Sequence, residues 1–440
     1  MKKRNHYQQF KLHLCVITCL LAGLGNLLAA KYQSRIWTSQ DGNRISATLV
    51  KVWDDRISIQ GEDGRIFKPL IRALSYADQA YLRELQTQEA ETSSIDSKSV
   101  VAPSATGALS RYEDLSDLAR QARRIAGLPV IGVCIIRDYK IHGIGYAHSK
   151  SAHELVRGAG PSDQISIASC TKAMNATLAA VLVSRGEIEW SSTLSEVFPE
   201  LTEGMDRRYR SVTLEQLLNH TAGAPSMNDF WKSKDYQQVF AFEGSAQEQR
   251  FELIKIVTAH DPMFKPGTEF EYSNVGHYIA GAMLERVMND SWESLIEALV
   301  IEPLGLSHTT PYPPVGTMGR INPQFTAPGG GIYSTLEDFG KFSIFHMQFH
   351  ANNPLGITRD NYVKLHQPSD IHHYGLGFFS IHRNWSRGLI LQHNGRDGLA
   401  ASTFWLAPEE GFGVFAVTPG QYADSKFWND SIPYIIEEFN

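Results

Sequence analysis

The chain is short of cysteine, of net charge and of long apolar runs, and each shortage excludes a class of protein. Four cysteines in 440 residues are too few for a disulfide-stapled scaffold. Cys15 and Cys19 fall near the N-terminus; Cys134 sits in a strand-like run and Cys170 at a helix start, and both are expected as buried thiols. Lysine and arginine total 41 against 47 aspartates and glutamates, a net charge of −6, so no basic surplus exists to neutralise nucleic-acid phosphates. A hydrophobic share of 42% and a charged share of 20% exclude a collagen-like, wholly disordered or polytopic membrane chain. Gly329-Gly330-Gly331 lacks the lysine of a phosphate loop, and Ser334-Thr335-Leu336-Glu337 after it reads as a capping box. Asp370, His372 and His373 lack a partner pattern that fixes a metal site, and read as surface or structural groups. No metal or cofactor is expected.

One apolar run stands out. Leu12 to Ala30 follows Lys2, Lys3 and Arg4 and ends on small residues, the layout of a secretory signal peptide over residues 1–30. His13 and Asn26 leave it marginal for spanning a bilayer, so an exported, periplasmic or extracellular protein without a stable span is expected, with an uncleaved anchor as the alternative. Residues 31–86 hold strand-like runs (RIWTS, ISATLVKVW, ISIQG, IFKPLI) punctuated by Asp41-Gly42, Asp54-Asp55 and Asp63-Gly64. Asp-Gly between β-rich runs predicts hairpins, because glycine accepts the positive φ of a tight turn. Ser75 is a plausible cap for a short helix after them. Residues 87–108, rich in Ser, Thr, Gln and Ala, read as a flexible linker. Residues 109–440 form one large domain. Strand-like runs at both of its ends and helical patterns from about 170 to 300 predict an α+β fold, a sheet with a helical insert.

Three triplets carry the candidate chemistry. Ser169-Cys170-Thr171-Lys172 opens a helix whose Met174, Leu178, Val181 and Leu182 form one apolar stripe, stopped by Arg185-Gly186. Ser169 therefore sits where free backbone N–H groups favour an oxyanion, with Lys172 one turn on and able, when neutral, to take the serine proton. Tyr272-Ser273-Asn274 lies on a loop or at a helix start. A partly ionised phenol there relays a proton, and an amide orients both lysine and substrate. His393-Asn394-Gly395 follows the strand-like GLILQ, at a sheet edge along which a substrate would align. Each triplet alone is weak: a capping serine, a capping asparagine and a β-turn with an incidental histidine are the structural alternatives.

The order of the triplets, and the phrases around them (SISIASCTKAMNATLAAVLVSRGEIEW, TLEQLLNHTAGAP, FKPGTEFEYSNVGHYIAGAMLE, EPLGLSHT, PGGGIYSTLEDFGKF), resemble the serine β-lactamase and penicillin-binding-protein superfamily. The resemblance covers residues 112 to 437 and is nearest to the class C enzymes and their esterase and peptidase relatives. It implies a β-lactamase/transpeptidase-like fold, an antiparallel sheet flanked by helices plus an all-α insert. By resemblance Ser169 is the nucleophile, Lys172 its base and Tyr272 the relay. Asn274 orients lysine and substrate, His393 and Gly395 stand on the edge strand, and the N–H groups of Ser169 and Arg396 form the oxyanion hole. His393 replaces the lysine that holds a β-lactam carboxylate in lactamases, which turns the expectation toward esters or D-amino-acid peptides. Arg396 stands where small hydroxyl residues are common and would bind an anionic group. Residues 33 to 86 resemble the Sla-one homology domain, an SH3-like β-barrel, in R-x-W-T-S-x-D-G and D-G-R-x-F-x-x-P-L. That module would serve as a spacer or dock a protein or cell-wall partner. A silent copy of the large domain, used only for binding, is the alternative to an enzyme.

Overall fold

The computed structural model describes residues 34–38, 44–52, 57–61, 65–71, 74, 82, 112–149, 162–226, 230, 232–314, 322–419 and 426–439. The leader, the Ser75 cap and the linker at 87–108 lie outside the described residues. The chain divides into two compact units, Met1–Ser104 and Ala105–Asn440.

In the first unit, β1 (Ser34–Thr38), β2 (Arg44–Val52), β3 (Ile57–Gly61) and β4 (Ile66–Phe67) pair in order as an antiparallel sheet. The strands that the Asp-Gly turns were expected to join do pair; the turns themselves fall outside the described residues. A small core of Trp37, Ala47, Leu49, Ile57, Ile59, Leu74 and Leu82 supports the sheet. The Trp37 indole satisfies its N–H on Ala47 O at 3.1 Å, which lets a large amphipathic ring be buried without a lost hydrogen bond.

The second unit is built on a seven-stranded sheet. Its strands are β5 (Glu113–Asp114), β6 (Val130–Arg137), β7 (Lys140–His148), β10 (Phe379–Ile381), β11 (Ile390–Arg396), β12 (Ala400–Ala407) and β13 (Phe412–Pro419), in the order β10-β11-β12-β13-β6-β7-β5. The pair β8 (Ile165–Ser166) and β9 (Tyr333–Ser334) is separate. Strands from the two ends of the domain meet where β13 pairs with β6, as the distribution of strand-like runs predicts. Alternation splits the sheet's two faces. Ile131, Val133, Ile135, Val414 and Ala416 join a core with α1 (Ser116–Ile125) and α7 (Ile432–Phe439). Cys134, Ile136, Phe415 and Val417 join the opposite core, with α2 (Thr171–Ser184) and α6 (Leu336–Met347). Both Cys134 and Cys170 are buried free thiols, as expected.

The helical insert contains α3 (Lys234–Ala241), α4 (Ala246–Thr258) and α5 (Asn274–Met288). Helix α2 differs from its expected single stripe: every residue from Thr171 to Leu182 is buried. It packs on α5 and on shorter helices around it, and Ala173, Ala176, Ala179 and Ala180 let those neighbours approach on several sides. The capping box expected at Ser334 is replaced by a simple cap one residue on. Thr335 caps α6, its side chain accepting from Asp338 N, because Ser334 is the last paired residue of β9.

Candidate active site

The nucleophile turn is strained. β8 ends at Ser166, and Ala168, the residue before Ser169, has φ of +45°, which costs a non-glycine residue roughly 1–2 kcal/mol. A short 3-10 turn, Ala168–Cys170, then feeds α2. Three contacts hold the turn from the sheet side. Ser166 Oγ donates to Asp397 Oδ2 (2.6 Å), Ser402 Oγ donates to Ile167 O (2.6 Å), and Cys170 Sγ lies 3.2 Å from Ser402 Oγ. Strain kept at one residue and braced from the sheet is the pattern of a functional turn.

Lys172 is fully buried, with Nζ 3.1 Å from Ser169 Oγ and 2.7 Å from Gly329 O. Among the described residues it has no carboxylate partner, so burial lowers its pKa to about 7. Neutral, it keeps one N–H on Gly329 O and turns its lone pair to the Ser169 hydroxyl, which then donates. The Tyr272 ring centre lies 5.0 Å from Nζ. Burial raises the Tyr272 pKa, and its interaction with Ser169 draws it only partly back. Where a partly ionised phenol was expected, burial favours the neutral form; Tyr272 interacts with Ser169 and presents its ring face to Lys172.

Tyr272 and Ser273 precede α5, and the helix is capped by Ser273, whose side chain accepts from Gly276 N. Asn274 is therefore the first helical residue and not the cap. Its Oδ1 is buried and has no hydrogen-bond partner. The expected Asn274–Lys172 contact is absent among the described hydrogen bonds, since Nζ is used by Ser169 and Gly329. Asn274 instead lines the cleft with an open acceptor.

On β11 the alternation decides which groups face where. His393 and Gly395 are buried, while Asn394 and Arg396 are exposed. Strand β10 pairs with β11 only from Ile390 to Gln392, so His393 to Arg396 form a free edge on that side. Gly395 passes so close to the nucleophile that a Cβ would lie 2.9 Å from Ser169 N and 2.6 Å from Ile167 O; no side chain fits there. His393, expected as a substrate-binding group, is outside the residues that line the cleft. It is 1% exposed, and its Nδ1 lies 2.7 Å from Asn394 O, which accepts, leaving Nε2 to accept from Tyr374 OH at 3.0 Å. Burial, then the charge of Lys172, lowers its pKa to about 3, so it is neutral.

The cleft, about 430 Å³, is lined by Ser169, Asn274, Gly329, Gly330 and Arg396, with Tyr236, Tyr278, Asn322 and Thr326 on its walls. Sequence reading missed Gly329, Tyr236 and Tyr278. The glycine run was the available signal for close backbone approach; nothing local marks the tyrosines. The charged side chains lining the cleft are Arg396 and Asp397. Asp397 is consumed by Ser166 Oγ and by the amides of Leu399 and Ala400, both at 2.7 Å. Arg396 makes no ion pair among the described residues. His372, set aside as a metal ligand, stacks on Phe270 with ring centres 3.8 Å apart.

A helix-flanked sheet with an accessible serine, a neutralisable lysine and a glycine edge strand around one cleft defines an active-serine α+β domain. Residues 115–432, more than half of the chain, match the family Beta-lactamase, and the chain belongs to it. It is 25% identical over 186 residues to Protein flp of Staphylococcus aureus (strain COL), covering 42% of this chain and 35% of that protein. It is 24% identical over 265 residues to PbpX of Bacillus subtilis, named among penicillin-binding proteins, covering 56% and 60%. The chain thus spans about a third of the first relative's length and under two thirds of the second's. The fold resembles a D-stereospecific amidohydrolase from Streptomyces sp. (TM-score 0.57, 22% identity, 74% of this chain and 97% of that one). It also resembles a D-alanine carboxypeptidase AmpC from Burkholderia cenocepacia (TM-score 0.58, 18% identity, 73% and 99%).

Proposed function

We propose that the protein is an exported serine hydrolase that cleaves an ester or an amide through an acyl-enzyme on Ser169. The observation that carries this reading is the Lys172 amine, fully buried, 3.1 Å from Ser169 Oγ and with a pKa lowered to about 7. Ser169 Oγ attacks the carbonyl carbon as its proton passes to Lys172 Nζ. The tetrahedral oxyanion falls between the N–H groups of Ser169 and Arg396. Tyr272 passes a proton from Lys172 to the leaving alcohol or amine, which departs. A water then attacks the acyl carbon, and its proton returns by the same groups to Ser169. No metal or cofactor is part of these steps.

Carboxylic esters or D-amino-acid peptides suit the cleft better than β-lactams. The neutral His393 offers no cation at the strand position where lactamases carry lysine, and the exposed cation on the wall is Arg396. The fold neighbours named above are a D-stereospecific amidohydrolase and a D-alanine carboxypeptidase, which supports the peptide branch. Export rests on the leader at residues 1–30, and residues 31–86 would dock a protein or cell-wall partner.

The test is intact-mass analysis after incubation with a fluorophosphonate and, separately, with a penicillin, on wild type and Ser169→Ala. A Ser169-dependent fluorophosphonate adduct supports the reading. Folded wild type that reacts with neither probe overturns it in favour of a silent binding domain.

A further inference from the structure

We infer that His220 is the positioning residue for Tyr272; the inference rests on the acyl-enzyme reading above. His220 follows a short helix, Leu214–Leu218, and is buried at 2% exposure with φ of +64°, a left-handed backbone that non-glycine residues adopt only occasionally, histidine more readily than most. Asn219 braces that conformation: its Oδ1 accepts from Thr221 N at 3.2 Å and Thr221 Oγ1 at 2.6 Å.

What the strained residue holds is the Tyr272 loop, at three successive positions. Its carbonyl accepts from Glu271 N at 3.0 Å. Its ring packs on the Tyr272 ring, centres 4.4 Å apart. Its Nδ1 accepts from Ser273 N at 3.1 Å. The same segment continues the lacing through Thr221 O to Gly267 N (2.8 Å) and Pro225 O to Ser273 Oγ (2.6 Å). Because Nδ1 accepts, the neutral ring carries its hydrogen on Nε2, and that buried atom has no partner. A strained backbone and an unpaired N–H retained on one residue mark a side chain kept for its geometry. The Tyr272 hydroxyl reaches Ser169 only while residues 271–273 hold their path, so His220 acts on the chemistry through Tyr272 without touching substrate.

The test measures the second-order rate of Ser169 labelling by a fluorophosphonate, with thermal midpoints alongside. His220→Phe keeps a ring but removes the acceptor. His220→Asn keeps an acceptor, tolerates the left-handed backbone and removes the ring. Both are made alone and in a Tyr272→Phe background. The expected result is a slowing of about tenfold or more for His220→Phe and about threefold for His220→Asn, each shrinking to under twofold once Tyr272 is Phe. Factors that persist in the Tyr272→Phe background, or single variants that label at the wild-type rate, overturn the inference. If His220→Phe does not fold, the His220→Asn cycle decides by the same criteria. Wild type that fails to label at Ser169 sinks the acyl-enzyme reading instead, so the two failures are told apart.

Discussion

Helix α2 carries two buried polar sites of opposite character. At its first turn Lys172 has no counter-charge among the described residues, and Asn274 Oδ1 in the cleft and His220 Nε2 behind Tyr272 have no partner. Further along, Thr177 Oγ1 donates to Ala173 O (2.7 Å) and lies 3.1 Å from His346 Nε2, while His346 Nδ1 lies 3.0 Å from His366 Nε2. The proton order there is forced. Thr177 has spent its hydrogen, so His346 Nε2–H donates to it, and His346 Nδ1 accepts from His366 Nε2–H. Arg250 likewise shares its donors between Glu285 and Glu293, at 2.6 to 3.2 Å. A satisfied buried network specifies a fold, whereas one left open holds groups ready for a substrate. Variants should therefore separate rate from stability along the same helix.

The largest separation belongs to Lys172→Met. Acylation, read as fluorophosphonate labelling of Ser169, should fall by roughly 10³–10⁴-fold. Stability should rise. The unfolded lysine holds its proton to about 10.4, the folded one only to about 7. The unfolded chain therefore binds the extra proton between those values, and the burial penalty is full below pH 7. Thermal melts should show the variant ahead by about 3 kcal/mol at pH 6, after the lost bond to Gly329 O is subtracted, and by much less at pH 9.5. Wild-type kcat/KM should climb through pH 7 as Lys172 loses its proton. A flat profile there, or a variant destabilised at pH 6, breaks the contrast.

Gly395→Ala comes second. Its Cβ would press on Ser169 N and Ile167 O, displacing an oxyanion donor, and kcat should fall by roughly 10²–10³-fold. Circular dichroism should show the sheet retained, because β11 still pairs with β12.

How much of this was legible in the sequence follows from the same physics. That Ser169 and Lys172 lie at one helix start and Asn274 at another was readable because helix starts are local properties, and Ser169 and Asn274 line the cleft. Which face a strand residue takes was half readable. Period-two alternation pairs His393 with Gly395 and Asn394 with Arg396, but not which pair is buried. That depends on the nucleophile turn packing against Gly395, a contact across more than two hundred residues. His220, Tyr236, Tyr278 and the Thr177–His346–His366 chain are likewise tertiary, and no local pattern announces them. The α2 stripe was misread for a related reason: alanine is neutral in a periodicity count, yet here it lets neighbouring helices close in.

Arg396→Ala is a smaller, selective perturbation. Its guanidinium lies at the cleft wall without an ion pair among the described residues, and it is exposed. A solvated contact of that kind is worth about 1 kcal/mol. KM for an ester with an anionic acyl group should rise about three- to tenfold, kcat should hold, and a neutral ester should be unaffected. An unchanged KM for the anionic ester removes Arg396 from substrate recognition.

The smallest catalytic effect, and the sharpest test of the comparison, is Thr177→Val. The substitution keeps the volume but leaves His346 Nε2–H buried without an acceptor, which should cost about 1–3 kcal/mol of stability. Labelling of Ser169 should stay within twofold of wild type, although Thr177 lies on the same helix as Lys172. Acid should widen the difference between the two sites. Burial lowers the pKa of His346, and that of His366 to about 3, so the stability these groups contribute is present above pH 6.5. It is lost below that as the unfolded chain takes up protons first, at up to about 1.4 kcal/mol per histidine per pH unit. Melts from pH 7 to pH 4 should therefore fall in wild type. In Thr177→Val the His346 ring can turn or admit water, so its share of that slope should shrink. A variant that loses labelling while its melt is unchanged would mean that Thr177 belongs with Lys172, and that hydrogen-bond satisfaction does not divide the two sites.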